Sequence, residues 1–300
     1  MSEPTLPTPS LSTRMFDAIK PILPKRLRGD IPIVPVVRLS GIIGFSTPLK
    51  PGLTLSSVAK ALDRAFSMRH ARAVALLINS PGGSPVQSHL IFRRIRQLSE
   101  EKGLPVIAFV EDVGASGGYM IACAADEIIC DMSSMIGSIG VVGGTFGFDK
   151  LMEKVGVERR LYTSGERKAM LDPFLPEKPE DVKRLKQIQN EIHESFIALV
   201  KERRGAKLTG PEKTLFSGEY WTGSTAIELG VADTLGELRS FLRERYGEEV
   251  LMPLVQPERG FLSRRLRGAA SEHIFATHAG WAEDMVSALE ARALWSRYGL

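Results

Sequence analysis

The sequence predicts an α/β fold built on a mostly parallel sheet, and three observations carry that prediction. From residue 31 onward, short apolar runs alternate with segments of helical period. Three of those runs lead into small-residue turns: SPGG (80–83), GASGG (114–118) and SSMIGSIG (133–140). Hydrophobic residues make up 43% of the chain and charged residues 25%, ordinary values for a packed globular domain. Strands that alternate with helices pair in parallel through right-handed crossovers.

The elements follow in order. Residues 1–30 are rich in Pro, Ser and Thr and then basic, which predicts a flexible arm with a short amphipathic turn near residues 15–23. IPIVPVVRLSGII (31–43) reads as the first strand. In 54–67, Leu55, Val58, Leu62 and Phe66 recur at helical spacing behind Thr54, a residue type that caps helices. AVALLIN (73–79) is a continuous apolar run, the signature of a strand buried on both faces. A helix over roughly 85–100 precedes the strand PVIAFVE (105–111), and YMIACAA makes a short helix after GASGG. DEIIC (126–130) is a strand, 133–140 a loop, DKLMEKVG (149–156) a helix and ERRLYTS (158–164) a further strand. A long helix over 179–203 places Val182, Leu185, Ile188, Ile192, Phe196 and Leu199 in one apolar stripe, with His193 beside it as a structural histidine. Past residue 247 the pattern loosens into an extension (247–300) of unassigned role, so 31–246 is the expected domain.

Composition excludes several classes of function. The chain has 300 residues, and 39 Lys and Arg against 35 Asp and Glu leave a net charge of only +4. No zinc-finger spacing or basic aromatic stripe points to nucleic acid. Cys123 and Cys130 form no C-x-x-C pair, so they read as buried thiols in a reducing compartment, with neither a metal site nor a disulfide framework. No leader or membrane-spanning stretch is seen, since none reaches the ~18 apolar residues a crossing helix needs. A cytoplasmic location is expected. Basic residues stand beside Phe16 and Leu23, and beside Phe261 and Leu262, so 20–28 and 259–267 suit peripheral contact with the inner membrane's cytoplasmic face.

In parallel sheets, ligands gather at the carboxyl ends of the strands. Glycine-rich turns there bring backbone N–H groups close to a ligand, which suits an anion or oxyanion. Ser116, in G-A-S-G-G at a helix start, fits either a helix cap or a nucleophile. A serine nucleophile needs a base. The chain has five histidines, none of them between residues 90 and 192, which counts against a Ser-His arrangement and an α/β-hydrolase. Lys168, in TSGERKAMLDPF, is followed by apolar residues and would suit a half-buried base; an ordinary surface lysine fits equally well.

INSPGG (78–83), GASGGYMIACAAD (114–126), GSIGVV (137–142), TSGERKAMLDPF (163–174) and SGEYWTGSTAIELGVADTLG (217–236) together resemble, in order, the blocks of the signal peptide peptidase A family. The resemblance spans roughly 33–245 and implies a Clp/crotonase-like fold of repeated β-β-α and βα units. It implies a Ser/Lys dyad, with Ser116 the nucleophile, Lys168 the base and Ser138 the serine that orients the lysine. It places the backbone N–H groups of Gly83 and Gly117 in the oxyanion hole. No cofactor or metal is implied. The implied substrates are apolar or unfolded peptides, such as signal-peptide remnants. This short, unduplicated form implies a homo-oligomeric ring with active sites at subunit interfaces. The competing readings are a crotonase-type acyl-CoA enzyme on the same fold and an inactive scaffold at a membrane.

Overall fold

A computed structural model of the chain describes residues 31–44, 52–165, 167–256 and 292–299. The expected N-terminal arm and segments 20–28 and 259–267 lie outside them.

Eight described strands form one sheet: β1 (Val36–Ser40), β2 (Val74–Ser80), β3 (Val106–Ala115), β4 (Glu127–Cys130), β5 (Met135–Gly137), β6 (Tyr220–Thr222), β7 (Thr234–Leu235) and β8 (Leu254–Val255). The order runs β6-β5-β3-β2-β1-β8, and β4 joins β3 to β7. Every pairing is parallel except β5 with β6. The α/β, mostly parallel architecture is therefore the one expected. β3 is ten residues long and serves two neighbours along one edge. Ile107–Val110 pair with β4, and Val113–Ala115 pair with β5.

The strands are apolar throughout because both faces are covered. Along β2, Val74, Leu76 and Ile78 join the larger core cluster. Ala75 and the partly buried Leu77 face the opposite, smaller cluster. The larger cluster packs under α1 (Leu55–Phe66), α2 (Pro85–Lys102), α3 (Gly117–Ala122) and the end of α5 (Pro179–Arg204). The smaller lies under α8 (Leu238–Tyr246), through Leu238, Phe241 and Leu242. The helix starts are encoded locally. Thr54 and Ser57 form a reciprocal capping box at α1, and α2 begins with Ser84 capping and Pro85 in the first turn.

Three expectations need correction. ERRLYTS (158–164) forms no strand; its side chains are exposed and it has no sheet edge to join. The loop 133–140 contains β5, whose three residues are too few for a period to show. The first strand is shorter than 31–43, because pairing with β2 covers only Val36–Ser40. The described residues also form helices α4 (Asp149–Val155), α6 (Glu212–Leu215) and α7 (Gly223–Glu228). Between Ile139 and Phe196 no described residue is buried.

Candidate functional site

The parallel register brings the candidate residues to one edge. Ala115 of β3 lies opposite Gly137 of β5, so the next residues, Ser116 and Ser138, leave adjacent strand ends. Both serines have φ = 53°, a conformation unusual for a residue with a Cβ. Such strain costs on the order of 1–3 kcal/mol per residue and persists only where surrounding bonds enforce it. They do so here. The Ser116 N–H donates to the Gly137 carbonyl at 2.8 Å, and the Ser138 N–H donates to the Glu219 carbonyl at 2.6 Å. Ser116 stands at the N-terminus of α3 yet makes no capping bond with its side chain. Among the described residues neither serine hydroxyl has a hydrogen-bond partner, so the cap reading of Ser116 loses its main support.

The SPGG turn closes against this corner. A Cβ on Gly82 would lie 2.8 Å from the Ser116 Cβ and 2.9 Å from the Gly117 nitrogen, so only glycine lets the two turns meet. A Cβ on Gly83 would lie 2.2 Å from the Ile43 carbonyl oxygen, and its φ is 139°. Ser80 fixes the base of the turn by donating to the Gly41 carbonyl at 2.7 Å and accepting from the Gly82 N–H at 3.2 Å. Among the described residues the N–H groups of Gly83 and Gly117 have no acceptor. Two free donors beside a serine at a helix N-terminus form an arrangement suited to a developing anion.

Lys168 has no such enclosure. It sits in an exposed turn, its N–H bonded to the Gly165 carbonyl at 3.2 Å. Among the described residues its ammonium has no polar partner. A single chain therefore does not give it the half-buried seat expected. The reason is that its whole segment has no core of its own to enter: Arg159 stacks over Phe174 at 4.7 Å, and Phe148 packs on Phe174 at 5.6 Å, yet all remain at the surface.

One contact at the site was not legible in the sequence. His193 of α5 is half-buried and bonds through Nε2 to the Ile139 carbonyl at 3.0 Å, pinning the residue after Ser138. Its position beside the apolar stripe predicted a structural histidine, and nothing in the spacing named its partner. Both cysteines are buried and free. Burial pushes the Cys123 thiol up to about 12 and the Cys130 thiol up to about 11, so neither supplies a thiolate at neutral pH. Among the described residues no group of three or more His, Cys, Asp or Glu is placed to hold a metal ion.

Several known proteins resemble this chain. The profile of a family described as Peptidase family S49 matches residues 99–248. A Brucella abortus protein named Na(+)/H(+) antiporter NhaA is 52% identical over 298 residues, covering 97% of this chain and 40% of that protein. Protease 4 of Haemophilus influenzae is 32% identical over 228 residues, 74% of this chain and 36% of its own. The chloroplastic serine protease SPPA of Arabidopsis thaliana is 31% identical over 220 residues, 71% of this chain and 32% of its own. The chain thus spans well under half the length of each of these relatives.

Proposed function

The chain belongs to peptidase family S49, and from that premise we propose that it is a serine endopeptidase acting through Ser116 and Lys168. The observation that carries the proposal is the corner at Ser116: a strained serine with an unbonded hydroxyl, beside two backbone donors without acceptors. In the proposed reaction the Ser116 Oγ attacks a peptide carbonyl carbon while its proton passes to the neutral amine of Lys168. The N–H groups of Gly83 and Gly117 hold the oxyanion. The intermediate then collapses, the C–N bond breaks and Lys168 returns the proton to the leaving amine. Water, deprotonated by the same lysine, releases the acyl group from Ser116. Ser138 orients the lysine.

Lys168 reaches Ser116, in this proposal, from a neighbouring copy of the chain in a ring. The support is the unburied stretch between Ile139 and Phe196, which carries Lys168 and exposes Val142, Phe146, Leu151, Val157 and Tyr162. Exposed apolar surface of that kind marks a contact with another protein. Substrates are apolar or unfolded peptides, signal-peptide remnants among them, laid as an added strand beside 140–147. There the backbone makes no backbone hydrogen bond among the described residues.

We also propose that the peptidase works at a membrane surface. Among the described residues no helix is long and apolar enough to cross a membrane. The basic segments 20–28 and 259–267 and the antiporter name carried by the 52% identical Brucella protein support that placement. Co-sedimentation with anionic vesicles at low salt is the expected result; absence of binding there removes this part of the proposal.

Labelling with a fluorophosphonate probe tests the core of the reading. Wild type should label and hydrolyse an unfolded peptide, while Ser116→Ala should do neither, losing roughly 10³-fold or more in turnover. Turnover by pure Ser116→Ala would sink the assignment. A wild-type chain that neither labels nor cleaves would return the acyl-CoA enzyme or the scaffold to first place.

A further inference from the structure

Residues 292–299 return to the sheet far from where the chain leaves it at β8. Residues 292–296 are helical, and Tyr298 is only 6% exposed. Its ring packs in a separate small cluster with Val113 and Ala115, both fully buried, flanked by Met135 and Trp295. Tyr220 closes the arrangement. Its hydroxyl donates to the Arg297 carbonyl at 2.9 Å, and its ring meets Tyr298 edge-on at 4.9 Å.

The placement of these contacts is specific. Ala115 precedes Ser116, and Tyr220 pairs across the sheet with Gly137, which precedes Ser138. The cluster therefore backs both strand ends that hold the strained serines. The cluster under α8 takes in Ile107, Phe109 and Ile129 but not Val113 and Ala115, which lie further along β3. Tyr298 is the buried aromatic ring of this separate cluster, so without it Val113 and Ala115 lose cover and the Ser116 turn loses part of the surface behind it.

We propose that Tyr298 is a positioning residue, holding the ends of β3 and β5 so that Ser116 and Ser138 keep their geometry. The proposal rests on the peptidase reading for its effect on turnover, but not for its effect on the strand ends. A misplacement of about 1 Å at a reacting group costs up to ~10²-fold in rate. The ring does the packing, and the Tyr298 hydroxyl has no partner among the described residues, so phenylalanine should replace it.

The test compares Tyr298→Ala and Tyr298→Phe in hydrogen exchange and in peptide hydrolysis. Tyr298→Ala should speed amide exchange at 113–118 and 135–138 and leave 74–78 of β2 unchanged. Its kcat should fall roughly tenfold with KM within about twofold of wild type. Tyr298→Phe should match wild type in both. Unchanged exchange in Tyr298→Ala overturns the proposal, as does faster exchange across the whole sheet or an unchanged kcat. A wild type without hydrolysis would instead overturn the peptidase reading, and the exchange comparison would still decide the role of Tyr298.

Discussion

In the proposed reaction Ser116 and Lys168 divide the chemistry, and the fold treats them differently. Ser116 is fixed by a backbone bond on each side, its N–H to Gly137 and its carbonyl to the Met120 N–H at 3.0 Å. Lys168 is exposed. A base must have a free electron pair to take the serine proton. Lys168→Arg should lose about 10²-fold or more, because a guanidinium stays protonated. An Arg variant with wild-type turnover would contradict that role. His193 makes a smaller claim. One donated bond contributes about 1 kcal/mol net, so His193→Ala should lower kcat several-fold through residues 139–142. His193→Gln, which keeps a donor, should recover part of it; equal losses in both variants would show that the bond to Ile139 does not matter.

Helix α5 shows how an element is anchored at one end and free at the other. Its last residue, Arg204, is 2% exposed and donates to the Gly230 carbonyl at 2.7 Å and to Asp233 at 2.7 Å. Burial alone would raise the Asp233 carboxyl. The hydrogen bonds from Arg204, Lys207 and the Ile128 N–H outweigh it and hold the group below its usual range. A carboxyl depressed in the folded state stabilises the fold above its unfolded value, near 3.9, and that contribution is lost as pH falls through the folded value. Asp233→Asn should therefore cost about 3–5 kcal/mol at pH 7 by leaving Arg204 buried and unpaired, and much less near pH 2. Denaturant unfolding at both pH values measures this, and an equal loss at both would contradict it. Most elements were legible in the sequence for the same physical reason, that burial on both faces makes strands such as 74–80 continuously apolar. β5 was hidden because three residues carry no period. The false strand at 158–164 arose because a local pattern does not say whether a sheet edge is within reach. The site was legible as far as its glycines and serines reach, and no further. The three glycine-rich turns and Ser116 were found through turn chemistry, and Ser138, Gly83 and Gly117 through the family resemblance, whereas Tyr298 and His193 act across long sequence separations that no local motif records.

The whole molecule has two regions of different character. The sheet and its covering helices bury a continuous core. No described residue from Gly140 to Ser195 is buried, and Phe146 and Val142 are each 73% exposed and Tyr162 89%. The lower half of the α5 stripe, from Val182 to Ile192, is only half-buried, which accounts for an apolar period longer than one chain uses. In the proposed ring this region completes its core, and the active site, on another copy. Head-to-tail contacts of that kind close into a ring. The direct measurement mixes two inactive variants, Ser116→Ala and Lys168→Ala, through unfolding and joint reassembly, and follows peptide hydrolysis. A shared site gives interfaces that pair an intact serine with an intact lysine in roughly a quarter of cases, and activity returns to about that fraction of wild type. If both residues serve within one chain, every site in the mixture stays broken, and no activity despite proven subunit exchange would contradict the account.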